Sequence, residues 1–321
     1  MPNFEHIAEQ PPAAAPSLGG PPESPALRAV LAAHRDWLEG RPGGARAVLS
    51  GVVLAEAMLE HIVLERAILK SVNFIDARLS GAGLARADLQ WADFSNAALL
   101  DADLSEADLL DTRFDLALLA AANLSEARLL RTSCRRANLR EARLVEAALE
   151  GCDFAGAVLQ RASLHQAKAF DCNFAGADLT EARLYHVVFR SCRLPGISGS
   201  DSNWSTATLQ GCDFRVADLS FARFDRANLP HSSFYRANLR CGSFQEARMA
   251  GADLQRADLS GARFPDAHMM GTNLCGACLE GAHGLSPTQL SQARTDRETI
   301  LPSGARGPFM LGSGAHRPGR R

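Results

Sequence analysis

The stretch "ARADLQWADFSNAALLDADLSEADLL", residues 85–110, puts a Leu or Phe at every fifth position. Helices repeat near 3.6 residues and strands near 2, so neither element alone produces this beat. Followed outward in both directions, it holds without an insertion from Leu49 to Leu279. The large residue, position i, is Leu, Phe or Met except at Cys134, Ala169, Gly199 and Trp204. Position i−2 is small, most often Ala, with Ile only at 62 and 197. Residues two apart share one side of an extended chain. Each pentad therefore reads as a very short strand with one small and one large inward side chain. The following residues turn a corner, and Gly at i+2, as at Gly151 or Gly176, suits a turn that needs positive φ. A chain that turns the same way after every short strand winds into a solenoid.

The number of pentads per coil follows from which residues recur together. Phe holds position i at 74, 94, 114, 154, 174, 214 and 234, all one residue class modulo 20. Trp204, Phe224, Phe244 and Phe264 form a second such set, and Cys152, Cys172, Cys192 and Cys212 stand 20 apart at i−2. Like residues stack on like if four pentads complete one coil, which gives a four-sided prism. Some twelve coils at ~4.8 Å each make a rod on the order of 57 Å long. Leu and Phe fill its axis, so no internal ligand cavity is expected.

Stretches such as "ADLQWADFSNAALLDADLSEADL" and "ANLRCGSFQEARMAGADLQRADLSGARF" resemble the pentapeptide-repeat family, whose pattern is A(D/N)LXX. The resemblance covers roughly residues 47–283. It implies an all-β solenoid, a right-handed quadrilateral β-helix with i and i−2 pointing inward. The flanks "LAAHRDWLEGRPGGARAVLSG" and "LSPTQLSQARTDRETILPSG" also resemble segments that bracket such repeats. Their physical task is to cover the open ends, because bare terminal edges invite aggregation.

Four segments follow. Residues 1–24 form a Pro/Ala-rich tail expected to be disordered. Residues 25–46 hold a capping helix and linker; Ser24-Pro25 reads as an N-cap with Pro at the first helical position, and Gly40 as the stop. Its apolar side carries Leu27, Val30, Leu31, His34, Trp37 and Leu38. Residues 47–283 are the repeat. Residues 284–321 open with a short capping helix at Ser286-Pro287 and end in a flexible basic tail. Gly199, within "LPGISGSDSNW" (194–204), drops an inward side chain, and a distorted corner is expected there.

A formal net charge of −2 gives no global bias toward nucleic acid or a membrane surface. The N-terminus shows neither a basic nor an apolar signal region, and no run approaches the roughly 18 apolar residues of a membrane span. The expected location is the cytoplasm of a bacterium, with reduced thiols.

No catalytic, cofactor or metal site is read from the sequence, and no enzyme activity is expected. The Cys column points its thiols one way, whereas a Zn site needs ligands converging at about 2.3 Å. Cys275 and Cys278 make a CxxC that crosses a turn rather than opening a helix. No nucleophile elbow, HExxH or P-loop is present.

Three surface features are candidates for partner contact. The first is an acidic block with Asp101, Asp103 and Asp108, followed directly by a basic block, Arg128 to Arg143. The second is a column of Arg143, Arg183, Arg223 and Arg263 at i−1, spaced 40 residues apart with Ser163, Asn203 and Ser243 between. Such spacing keeps a solenoid face soluble, and it also suits an acidic partner. The third is outward apolar bulk at Leu110, Leu130 and Phe170, with Leu100, Leu116 and Leu118 read as nearby.

The leading reading is therefore a non-enzymatic scaffold that meets a protein partner, a homodimer being one form of that contact, with no cofactor, no direct nucleic acid and no membrane. The alternative comes from the resemblance: some members protect DNA gyrase by presenting an acidic rod that imitates duplex DNA. Duplex DNA carries about one charge per 1.7 Å, so a rod of this length needs on the order of 34 negative charges. Residues 46–126 carry 13 Asp/Glu against 6 Lys/Arg, and residues 127–283 carry 16 against 19, so only the N-terminal third is acidic. A secreted or membrane-associated module finds no support in the residues.

Overall fold

The computed structural model describes residues 25–318. The expected tail over 1–24, the N-cap at Ser24 and residues 319–321 lie outside the described residues. The chain is a parallel β-solenoid entered through helix α1 (Pro25–Leu38) and followed by helix α2 (Pro287–Gln292).

The backbone bonds explain the five-residue beat. Each i−1 residue bridges in parallel to the residue twenty positions on, from Val48↔Ile68 to Arg263↔His283. One pentad shows the full set. Leu109 N donates to Arg128 O at 2.9 Å, Arg128 N donates back to Ala107 O at 3.0 Å, and Asp111 N donates to Leu130 O at 2.8 Å. Within the turn, Thr112 N donates to Leu109 O at 3.2 Å. Four of the five N–H groups are thereby satisfied, and an unpaired one would be costly. The fifth belongs to i+1. It is taken by the side chain at i−1: Leu110 N donates to Asp108 Oδ1 at 3.3 Å, Ser105 N to Asp103 Oδ1 at 3.0 Å, and Ser125 N to Asn123 Oδ1 at 3.2 Å. Asp and Asn have the right length for this Asx turn, which accounts for the second letter of the A(D/N)LXX pattern.

Every turn from 51 to 281 has its i+2 residue at positive φ, whether Gly or not; Asp111 sits at 53° and Val216 at 60°. The expectation tied this geometry to glycine, and the structure extends it to all residue types. Left-handed backbone costs a non-glycine residue roughly 1–2 kcal/mol, and the three inter-coil bonds of each pentad offset that. Glycine has a separate use at 81 and 251, where the imidazoles of His61 and His231 from the coil below lie so close that a Cβ would stand 2.4 Å and 2.9 Å from their Nδ1 atoms.

The axis is solid. Every position-i residue is buried, and the aromatic ones stack at the pitch of the coils. Phe74–Phe94 and Phe94–Phe114 centroids are 4.7 and 4.9 Å apart, and Phe224–Phe244 and Phe244–Phe264 are 5.2 and 5.1 Å apart. This matches the ~4.8 Å between paired strands, so backbone pairing sets the ring spacing.

On one side the short strands are longer: β1 (Arg128–Leu130), β2 (Ala148–Glu150), β3 (Lys168–Phe170), β4 (Val188–Arg190) and β5 (Thr208–Gln210) form a five-stranded parallel sheet in that order. The turns that follow lack the usual backbone bond to the position-i carbonyl. In four of the five, all but the turn after β2, a side chain from the next coil supplies the donor instead. Cys152 Sγ reaches Leu129 O at 3.2 Å, and Cys192 and Cys212 Sγ reach Ala169 and Phe189 O at 3.5 Å. The Ser232 hydroxyl does the same for Leu209 O. The conspicuous Cys column is thus a set of small buried donors.

The distorted corner expected at Gly199 is absent. Ser198 keeps both bridges, to Asp178 and Asp218, and the flanking turns at Gly196 and Asp201 have ordinary φ values of 64° and 57°. The missing side chain is absorbed inside. A Cβ at 199 would stand 2.9 Å from Leu219 Cδ2. Beside it, Trp204 Nε1 donates to Ser202 Oγ at 2.7 Å, and that hydroxyl donates to Gly199 O.

Both ends are covered in part by helices. α1 buries Leu27 and His34, and His34 Nδ1 accepts the Ala47 N–H of the first coil at 3.1 Å. Burial pushes the imidazole below its ordinary pKa, with Arg46 adding to the effect, and the neutral ring is the form that can accept. α2 has a capping box in which Ser286 and Gln289 bond each other's backbone. Gln289 Nε2 also donates to Phe264 O and Ala267 O at 3.0 and 2.9 Å. Pairing continues beyond the helix, but Asn273↔Arg294 and Cys278↔Ile300 are 21 and 22 residues apart, so the twenty-residue spacing ends with His283.

Candidate interaction surfaces

The outward residues fall into columns because each coil repeats the one before. This geometry changes the meaning of the acidic and basic blocks. They are separated by one coil in sequence, so they lie one above the other. Arg131 makes a two-pronged contact with Asp111, at 2.8 and 2.5 Å. Arg128 stands 3.8 Å from Asp108, and the Arg135 N–H donates to Asp115 at 3.1 Å. The same step of twenty pairs Arg86 with Glu106, Arg161 with Glu181 and Arg226 with Glu246. The three glutamates are held below the usual carboxylate range by the hydrogen bond from their arginine. Exposed pairs contribute little stability, but they cancel field.

Of the candidate acidic residues, Asp103 and Asp108 serve the backbone first. Asp103 Oδ1 also accepts from Asn123 Nδ2 at 3.0 Å, and Asp108 Oδ2 from Gln90 Nε2 at 2.7 Å. Asp101 lies at a turn, at φ 55°. The sequence reading did not find the Asx role; its signal was the recurrence of Asp or Asn directly before the large residue.

The arginine column stands as one unbroken ladder, Arg143–Ser163–Arg183–Asn203–Arg223–Ser243–Arg263. Arg223 reaches Asp225 at 3.4 Å, while Arg143, Arg183 and Arg263 make no ion pair among the described residues. Beside the ladder the His165 and Tyr185 rings stack at 4.0 Å.

The apolar candidates do not form one patch. Leu110, Leu130 and Phe170 share a column, but Glu150 separates Leu130 from Phe170, and all three are half-buried. Leu118 bridges Ala98 and Asn138 on a different ladder, with Leu100 and Leu116 beside it, half a coil away from Leu110. Leu100, Leu116 and Leu118 are the exposed members. Reading them as neighbours of Leu110 is corrected by the twenty-residue pairing.

Cys275 and Cys278 lie on either side of a turn, and Cys278 Sγ contacts Ser260 Oγ at 3.2 Å. Burial, then Asp296, pushes the Cys275 thiol up rather than toward a reactive thiolate. No group of three His, Cys, Asp or Glu among the described residues is placed to hold a metal ion. No helix among them is long and apolar enough to cross a membrane.

Short parallel strands in pentads, stacked at twenty-residue intervals over a Leu/Phe axis, define a pentapeptide β-solenoid. The family description "Pentapeptide repeats (8 copies)" matches residues 47–82, 84–119, 117–156, 217–256 and 252–283, and "Pentapeptide repeat region" matches 142–219. The chain belongs to the pentapeptide-repeat family. Among solved structures, it is similar to HetL, a pentapeptide repeat protein involved in heterocyst differentiation regulation in Nostoc sp. strain PCC 7120. That likeness has 26% identity over 85% of this chain and 96% of HetL, with a TM-score of 0.29. It is also similar to QnrB1, a plasmid-mediated fluoroquinolone resistance protein, at 20% identity over 50% of this chain and 88% of that one, with a TM-score of 0.28. A pentapeptide repeat protein from the Arabidopsis thaliana thylakoid lumen shares 28% identity over 42% of this chain and 67% of its own, with a TM-score of 0.13. Comparison with curated proteins gives no match. The family assignment rests on the repeat matches.

Proposed function

We propose that the chain is a non-enzymatic protein-interaction scaffold: a right-handed, four-sided rod of about twelve coils that displays fixed columns of side chains to a protein partner in the cytoplasm. The observation that carries this is the filled axis. Every inward large side chain is buried, so binding is left to the outward columns. Four-sidedness is supported by the twenty-residue bridging, which is four pentads.

A gyrase-protecting DNA mimic fits less well. Its acidic block is overlaid one coil on by Arg128 and Arg131, so the field that would imitate phosphates is cancelled locally. Supercoiling by DNA gyrase, with and without a quinolone, separates the readings: micromolar rod is expected to leave it unchanged, and inhibition or protection would establish the mimic instead. Affinity capture with a Leu110→Glu/Leu130→Glu control tests the apolar column. Recovery of the same partner by both forms would remove that column from the contact surface.

A further inference from the structure

Two charged ladders of equal pitch flank one column of turns. On one pentad of each coil the outward residues run Asp178, Ser198, Asp218, Asn238, Asp258. On the next pentad they run Arg183, Asn203, Arg223, Ser243, Arg263. In both, a charge returns every second coil, about 10 Å at the strand spacing, with Ser or Asn between. Each Asp precedes an Arg by five residues, so acid and base stand at the same height on adjacent sides.

Within one chain the two ladders do not pair with each other. Asp178 and Asp218 accept hydrogen bonds from Gln160 and Asn238, at 2.7 and 2.9 Å, and make no ion pair among the described residues. Arg183 and Arg263 make none either. Arg223 and Asp258 are engaged by Asp225 and Arg240 on their own sides. The turn column between the ladders runs Glu181, Asp201, Phe221 and Cys241 on successive coils; Glu181 is neutralised by Arg161, Asp201 is exposed, Phe221 is 56% exposed at φ 59°, and Cys241 is exposed. A large aromatic held out at a left-handed turn gains nothing for its own fold. An aromatic centre flanked by charge is what a specific interface uses.

We propose that this edge is a homodimer interface in which a second copy of the chain packs alongside the first about a two-fold axis parallel to the rod. Symmetry selects that axis. A two-fold parallel to the rod sets the Asp ladder of each copy against the Arg ladder of the other at equal height, with Phe221 against the partner's Phe221. A two-fold perpendicular to the rod sets Asp against Asp and Arg against Arg. A second copy is the occupant because it carries the opposite charge at the same pitch and height. An unrelated acidic surface has no reason to repeat at two-coil intervals. The inference deepens the scaffold reading by naming one partner.

The test is sedimentation equilibrium of the full chain with two charge-reversal variants, Arg183→Glu/Arg263→Glu and Asp178→Lys/Asp258→Lys. Wild type is expected to dimerise at micromolar concentration, more weakly as salt rises. Each variant alone faces like charge on both sides of the axis and loses at least about tenfold in dimer affinity. An equimolar mixture restores opposite charge on both sides and forms a heterodimer, which also shows that both variants are folded. Diamide, in a Cys275→Ser/Cys278→Ser background, is expected to link Cys241 to its counterpart, two thiols giving one disulfide while diamide is reduced to the hydrazine. A monomeric wild type, variants that dimerise like wild type, a mixture that fails to associate, or a dimer without the Cys241 crosslink would each overturn the proposal. A monomer that still captures a different protein would leave the scaffold reading standing.

Discussion

Changing Trp204 and Gly199 to Leu, singly and together, asks whether the axis is a fitted stack or only an apolar filling. Trp204 stacks on Phe224 at 6.0 Å and meets Phe189 and Phe214 edge-on at 5.9 and 5.5 Å. Its Nε1 points toward the Gly199 side through Ser202. Trp204→Leu removes roughly 60 Å3, which at ~24 cal/mol per Å3 costs about 1.5 kcal/mol in cavity, and lost transfer energy brings the total to about 3 kcal/mol. Gly199→Leu drives a Cβ to 2.9 Å from Leu219 Cδ2, and overpacking of this kind costs about 1–3 kcal/mol. In the double variant the new Leu enters space the indole vacated, and Leu219 has room to move. The double is expected to lie about 2 kcal/mol above the sum of the singles. Equilibrium urea unfolding followed by far-ultraviolet circular dichroism reads this directly. Additivity within ~0.5 kcal/mol would refute the claim that the two positions share one volume.

Val216→Gly is expected to stabilise. Val216 is exposed and left-handed, so relief of roughly 1–2 kcal/mol exceeds the ~0.5–1 kcal/mol of added chain entropy; a lower melting temperature would contradict the turn geometry. Stability should fall at alkaline pH through the thiol column. Cys172 and Cys192 are each pulled down by the preceding thiol of the column but pushed further up by the following one and by burial, to about 12. Unfolded thiols ionise near 8.5. The stabilisation is therefore intact below that pH and is lost as pH rises toward 12, and the Cys172→Ala/Cys192→Ala variant should show a flatter urea-midpoint profile over that window. Gln289→Ala leaves the Phe264 and Ala267 carbonyls without their side-chain donor, at about 1–3 kcal/mol. Hydrogen exchange should then quicken at the C-terminal coils but not at the N-terminal ones.

The coil was legible because its signal is redundant. Each inward position is set by the same requirement for one small and one large residue, so Phe and Cys recurring at twenty residues carried the pairing before any coordinates. The same pairing places the arginine ladder correctly. What the linear reading lost was adjacency across coils. "DADLSEADLLDTRFD" and "RLLRTSCRRANLREARL" look like segregated charge along the chain, yet one coil is about the length of either block, so they become pairs. Leu118 and Leu110 are near in sequence and half a coil apart in space for the same reason. Gly199 misled because a lost side chain suggests backbone failure, whereas Trp204 and Leu219 adapt and the bridges hold. The Asx role of Asp103 and Asp108 needed the accounting of each backbone N–H.

Pulsed electron–electron resonance between spin labels at Asp103→Cys and Arg263→Cys, with Cys241, Cys275 and Cys278 replaced by Ser, measures the pairing most directly. The two sites lie on one ladder, eight steps of twenty residues apart, so in a large excess of unlabelled chain, which removes distances between labelled copies, a single narrow distance near 38 Å is expected at ~4.8 Å per step. A coil of three pentads would place them at about 51 Å on unlike sides. That distance, or a broad distribution, would contradict a stack in which every fourth pentad lies above the first.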